Sequence, residues 1–392
     1  MEVKKIYQNI KSTLVDKKNL TIRVKNWFDF SDLNEYLLHW SVTGDDGTIV
    51  AEGSKEVTCA PHAVVDITLG AVKLPKTLRE AYLNLSWTRV KATPLVTSDW
   101  EVAYDQFVLP VSKNSWSGKP AKAGNTTFVV DEATGALKSL CLDGEELLAS
   151  PITLSLFRPA TDNDNRDQNG AKLWRQAGLD HLTQKVVSLK EGKNKTTVKA
   201  DILNAEGKKI GNAEFIYALN RDGSMKVQTT FEPDTSLVKS MARLGITFEM
   251  KDTYENVTYL GRGEHETYTD RNQSGKIGIY KTTPERMFHY YVVPQSTGNR
   301  TNVRWMQLTD EHGKGCWIEA DSFFQFSTVP FSDVILEKAR HINELKRDGK
   351  ITIHLDAEQA GVGTATCGPG VLPSYLVPLT KQTFDFTIYP VK

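Results

Sequence analysis

The chain has 392 residues, more than the ~250–300 at which a single hydrophobic core stops growing, so two or more domains are expected. Lysine plus arginine and aspartate plus glutamate balance at 48 each, and no basic cluster interrupts that balance, which speaks against nucleic acid or an anionic membrane as a partner. No apolar run approaches the ~20 residues of a membrane-spanning helix and the N-terminus carries no apolar signal-peptide core, so a soluble chain is expected.

From the N-terminus onward the pattern is one of strands. Residues 20–24, 64–69 and 82–87 alternate apolar and polar side chains with the period of half-buried strands. Asp45-Asp46-Gly47, Asp143-Gly144, Asp222-Gly223 and Asp348-Gly349 each offer a glycine able to take positive φ at a hairpin tip, so the sheets are expected to be antiparallel. Between residues 19 and 111 roughly seven short strands fit a small sandwich of immunoglobulin type. Trp27, Phe28, Phe30, Trp40, Trp87, Trp100 and Phe107 are read there as core and corner anchors rather than ligand platforms. Residues 113–124 are small, polar and rich in breakers, and read as a linker. Strands resume at residue 125 and run to the C-terminus as one large antiparallel sandwich, giving an all-β chain with domains at 1–112 and 125–392. Only two windows look helical, 171–177 and 334–337, and no strand-helix alternation or fixed repeat appears.

Cys59, Cys141, Cys316 and Cys367 lack the spacing of a zinc site and read as free, mostly buried thiols. Several Asn-x-Ser/Thr triplets carry no information in so polar a chain. Chemistry concentrates in Arg158-Pro159-Ala160-Thr161-Asp162-Asn163-Asp164-Asn165-Arg166. Two carboxylates flanking an amide can accept several hydroxyl hydrogen bonds, and two guanidinium groups can fix those carboxylates, which suits carbohydrate. The plainer alternative is a turn in which Asp162, Asn163 and Asp164 cap their own backbone. Glu264 and Glu266 would share one face of a continuing strand and could act as an acid and base pair, against a reading in which Arg262 and Arg271 pair with them. Asp162 with Asp164, and Glu319 with Asp321, are weaker pairs of the same kind. His265 and His289 read as structural, Trp305 and Trp317 as core, and Tyr268 and Tyr291 as residues near a pocket rim.

Three stretches resemble the C-terminal portion of the glycoside hydrolase family 2 β-galactosidases. The first is Phe157-Arg158-Pro159-Ala160-Thr161-Asp162-Asn163-Asp164 followed by Leu173-Trp174-Arg175-Gln176-Ala177-Gly178. The second is Tyr259-Leu260-Gly261-Arg262-Gly263-Glu264-His265-Glu266-Thr267-Tyr268-Thr269-Asp270-Arg271, with Tyr291-Val292-Val293-Pro294-Gln295 downstream. The third is Gly361-Val362-Gly363-Thr364-Ala365-Thr366-Cys367-Gly368-Pro369-Gly370. The resemblance implies that 1–112 is the family's fourth, immunoglobulin-like domain and 125–392 its fifth, a galactose mutarotase-like supersandwich.

The same resemblance puts the two catalytic glutamates of this retaining family on a (β/α)₈ barrel that lies outside the sequence, so no catalytic residue is assigned. It implies no cofactor in this chain, magnesium and sodium in the parent's barrel, and a bacterial homo-oligomeric parent, cytoplasmic or periplasmic. The expected partners are the N-terminal and barrel domains, or a separate large subunit, and a β-galactoside. The lead-in Met1-Glu2-Val3-Lys4-Lys5-Ile6-Tyr7-Gln8-Asn9 resembles the family's inter-domain segment and favours a C-terminal fragment over a stand-alone carbohydrate-binding or complementing small subunit of a two-polypeptide enzyme. The substrate-rim candidates are Arg158, Asp162, Asn163, Asp164, Asn165, Arg166, Glu264, Cys367 and Gly368. Residues 165–170 would be a mobile element. Cys367 stands about where some members carry a stacking tryptophan, which leaves the backbone of residues 363–368 as the contact surface. The 158–170 and 361–370 loops are expected side by side on an exposed patch.

Overall fold

The computed structural model describes residues 1–121, 125–364 and 370–391. It divides into two compact units, one of Met1–Lys119 with Lys276–Ile279 and one of Pro120–Gly275 with Tyr280–Lys392. Both are built almost wholly of antiparallel strands.

In the first unit, the strands Ile10–Asp16, Thr21–Asn26 and Val64–Thr68 form a three-stranded sheet. Ile49–Glu56, Tyr36–Gly44, Glu80–Arg89 and Glu101–Pro110 form a four-stranded one. Period-two alternation sends Ile22 and Val24 from the first sheet, and Leu38, Val42, Leu83, Leu85 and Trp87 from the second, into one shared core. The hairpin at Asp45-Asp46-Gly47 forms as its sequence predicts, with Gly47 at φ +82°. The aromatic residues divide. Trp87 is fully buried, but Phe30 is 97% exposed and Trp27 and Trp100 are half exposed. These three lie outside the alternating segments, where no pleat directs a side chain inward, and the Lys25 and Lys4 ammonium groups sit over the Trp27 and Trp100 rings instead.

The second unit carries a small sheet of Thr126–Val130, Leu137–Leu142 and Glu145–Glu146 and one 12-stranded sheet that curls around a single core. Curling depends on the 15-residue strand Gly315–Val329. Its first part pairs with Gln382–Val391, ending at Glu319 opposite Thr387, and its last part pairs with Lys350–Gln359, starting at Gln325 opposite Asp356. One strand thus serves two faces of the sandwich, and its middle residues, 321–323, are exposed where it crosses. Trp305 and Trp317 are buried and stacked, with ring centroids 4.0 Å apart.

Two sequence expectations change here. Asp348-Gly349 does place Gly349 at φ +79°, but it leads into Lys350–Gln359 from a non-adjacent segment and is not a hairpin tip. Residues 162–166 are not loop: Asp162–Arg166 is a helical turn. The windows at 171–177 and 334–337 are helices, Ala171–Ala177 and Asp333–Lys338. The former ends on Gly178 in the left-handed conformation, as a C-terminal glycine cap requires.

Candidate functional site

Thr161 starts the helical turn with a reciprocal cap. Its hydroxyl accepts the Asp164 N–H at 3.1 Å, while the Asp164 carboxylate accepts the Thr161 N–H at 2.9 Å. The same carboxylate takes a two-pronged pair from Arg158, Nε to Oδ2 at 3.0 Å and Nη2 to Oδ1 at 2.7 Å. Arg158 directs its remaining donors to the carbonyls of Ala360 at 2.7 Å, just before the third motif, and Gly361 at 2.9 Å, at its start, and to the Gln359 side-chain oxygen at 3.5 Å. The side chains of Arg158 and Asp164 are 0% and 3% exposed. Both are among the substrate-rim candidates, and here they are buried, with their hydrogen bonds directed inward to frame the segment around them.

The rest of the first motif divides between anchors and exposed groups. Asn163 donates from Nδ2 to the Val362 carbonyl at 2.6 Å. Asn165 is exposed and accepts from Arg175 at 3.1 Å. Asp162 and Arg166 are exposed, and neither side chain has a polar partner among the described residues. Residues 165–170, expected to be mobile, are tied. Asp167 accepts the Asn169 N–H and the Val371 N–H, each at 2.8 Å. The Ser240 hydroxyl, which itself accepts from the Trp174 indole at 3.1 Å, donates to the Asn169 carbonyl. Gly170 is buried so close to the Asp164 carbonyl that an added Cβ would stand 2.2 Å from it.

The second motif supplies the other anchor. Asp270 accepts the N–H groups of Val362 at 3.0 Å, Gly363 at 2.8 Å and Thr364 at 3.0 Å, and the Thr364 hydroxyl at 2.6 Å. Successive main-chain amides converging on one carboxylate make an anion nest. The glycines follow from the same geometry: a Cβ on Gly361 would lie 2.4 Å from the Asp270 carboxylate, and one on Gly370, at φ +92°, 2.2 Å from that of Asp167. Asp167 and Asp270 therefore hold the third motif on both sides, through 361–364 and 370–371. Neither was singled out from the sequence. The available signal was an aspartate in the second motif, another just after the first, and a third motif rich in glycines, whose bare amides need acceptors. Cys367 and Gly368 lie outside the described residues.

Glu264 and Glu266 do not form a pair on a strand face, because the strand Asn256–Gly263 ends before them. Glu264 is exposed. Glu266 is saturated, with Arg271 at 2.7 Å and Tyr291 at 2.9 Å on one oxygen, and the Thr297 hydroxyl at 2.9 Å and the Gly298 N–H at 3.0 Å on the other. Burial works to raise its pKa, but those donors, Gly298 and Arg271 foremost, hold it below the usual carboxylate value. A carboxyl so held is a structural anion, not a proton donor. Tyr268 lies buried between the guanidinium groups of Arg158 and Arg271, 6.0 and 5.3 Å from its ring, and burial pushes its phenol upward. His265 bonds the Ser274 hydroxyl at 2.7 Å. Asp321 is ion-paired with Lys226 at 2.9 Å. Among the described residues no group of three or more His, Cys, Asp or Glu side chains is placed to hold a metal ion.

Comparison with known proteins gives this cluster a context. A family model described as "Beta-galactosidase, domain 4" matches residues 22–110, and one described as "Beta galactosidase small chain" matches residues 122–389. A β-galactosidase of Priestia megaterium is 29% identical over 384 residues, covering 92% of this chain and 36% of that protein. One of Actinobacillus pleuropneumoniae is 24% identical over 397 residues, covering 96% and 38%. A GalM/aldose epimerase homologue from C. elegans superposes with a TM-score of 0.38 at 11% identity, over 68% of this chain and 96% of that one. The chain spans somewhat more than a third of the length of these curated relatives. With the second model running through all three motifs and over more than half of the sequence, the chain belongs to the beta galactosidase small chain family.

Proposed function

We propose that this chain is the C-terminal part of a bacterial glycoside hydrolase family 2 β-galactosidase, an enzyme that removes terminal non-reducing β-D-galactose with retention of configuration. Its role is to shape the rim of an active site whose catalytic glutamates sit on a barrel outside this sequence. Magnesium and sodium would be held there too. The supporting observation is the convergence of the three motifs. Asp167 and Asp270 clamp the glycine-rich segment from two directions, Asn163 adds a third tie, and Asp162, Arg166 and Glu264 remain exposed. A clamped main chain with exposed charged groups suits recognition of hydroxyl-rich ligands beside catalytic groups supplied from elsewhere.

A second reading is favoured by the wording of the matched family, a small chain: the protein would be the smaller polypeptide of a two-part homo-oligomeric enzyme. Both readings are tested by hydrolysis of a chromogenic β-galactoside by the purified chain, alone and mixed with a separately expressed barrel-containing part. Activity only in the mixture is the expected result. Turnover by the chain alone would overturn the accessory role. Stable co-purification of the two polypeptides without a covalent link would select the small-subunit form.

A further inference from the structure

The second unit contains a polar cleft lined by residues outside the three motifs, and it arises from the strand that serves two faces. Between Glu319, paired with Thr387, and Gln325, paired with Asp356, the strand Gly315–Val329 leaves one neighbour and joins another. The strands Gln382–Val391 and Lys350–Gln359 diverge at that point, and a cavity of about 410 Å³ opens between them. Its volume falls within the roughly 300–1,000 Å³ of small-molecule sites.

Three features of the lining bear on what would fill it. Residues 382–386 pair only with Met225–Pro233, so among the described residues their other edge has no ladder partner and presents main-chain donors and acceptors. Glu358 and Gln228 line the space, and neither side chain has a polar partner among the described residues. Phe323 is 48% exposed, and the Arg304 guanidinium covers its ring at 4.0 Å, which holds the ring in place and leaves the remaining surface to the cavity and solvent. Lys226 adds no free cation, since Asp385 at 2.5 Å and Asp321 at 2.9 Å neutralise it. Hydroxyl groups can donate to Glu358 and exchange hydrogen bonds with Gln228 and the free strand edge. An apolar sugar face can lie against Phe323. An anion would meet Glu358, and a purely apolar ligand would leave the amide and carboxyl groups unpaired.

We propose that this cleft is a second carbohydrate site, taking a neutral pyranoside, distinct from the motif cluster and independent of any barrel. The test is saturation-transfer NMR on the whole chain with methyl β-galactoside, methyl β-glucoside and lactose as probes. Saturation of sugar ring protons by the unaltered chain is expected, with binding weakened about tenfold or more by Phe323→Ala and by Glu358→Ala. Lys190→Ala, exposed on the strand Thr183–Gly192 and outside the cleft, should leave it unchanged. Both cleft side chains are partly exposed, so the variants should fold, and a retained circular dichroism spectrum checks that. Absence of transfer to all three sugars, transfer indifferent to both cleft variants, equal loss in Lys190→Ala, or capture of benzylamine in place of sugars would each overturn the proposal. None of these results bears on complementation by a barrel, so the two proposals fail separately.

Discussion

Carboxylates around the motif cluster act mainly as acceptors for donors from distant segments, and this makes each of them sensitive in a different way. Arg158 and Asp164 are buried together, so removing the arginine leaves an uncompensated charge as well as unpaired carbonyls at Ala360 and Gly361. Arg158→Ala should lower stability by about 3–5 kcal/mol in urea unfolding. Arg158→Lys should recover little of it, because an ammonium cannot make the two-pronged pair. Glu266 gives a pH signature. Its folded-state pKa lies below the ordinary 4.5, so its contribution is complete above that value and is lost as pH falls through the depressed one. Stability should therefore drop as pH falls below about 4.5 and through the depressed folded-state value, and Glu266→Gln should flatten that part of the profile while lowering stability near neutrality. An unchanged slope in the variant would mean that Glu266 is not held as the four donors indicate.

At the scale of elements, the third motif depends on neighbours more than on itself. Asp270 receives four donors from Val362, Gly363 and Thr364, which lie outside every strand and helix of the described residues. Asp270→Ala should raise hydrogen exchange at these three amides by about tenfold or more while leaving exchange in the strand Arg243–Lys251 unchanged. In a mixture with the barrel part, the same variant should lose galactosidase activity out of proportion to its stability. Gly178→Ala tests a different element. It places a side chain at φ +70° and 2.7 Å from Asn204, so the end of the helix Ala171–Ala177 should be destabilised by more than the about 1 kcal/mol of a simple cap loss. These helices show how legibility varies. Ala171–Ala177 is readable because Ala171, Trp174 and Ala177 recur at helical spacing and Gly178 stops the chain. Asp162–Arg166 is harder to read, because its five polar residues show no apolar period and only the Thr161/Asp164 cap marks it.

For the molecule as a whole, the two largest cores among the described residues set the behaviour. One gathers Leu38, Val42, Leu85 and Trp87, and the other Ile246, Phe248, Phe326 and Leu355, with no residue in common. Calorimetry should therefore resolve two unfolding transitions. Leu38→Ala should lower one by the about 2–5 kcal/mol of a core truncation, and Phe326→Ala should lower the other. A single transition shifted equally by both changes would contradict independent cores.

The sequence by itself determined the all-β class, most of the hairpins, the two clearest helices and the three motifs, because alternation, turn glycines and helical spacing are local properties of neighbouring residues. It did not distinguish Asp164, buried against Arg158, from Asp162, exposed two positions earlier, since the same residue type serves both environments. Tertiary structure decided that Asp167 and Asp270 grip a glycine-rich segment 90 or more positions away, and that Glu266 is an anchor instead of half of a catalytic pair. It also decided that one strand divides its pairing between two neighbours and opens a cleft. Each of these depends on which distant main-chain groups arrive beside a side chain, and local periodicity carries no record of that arrival.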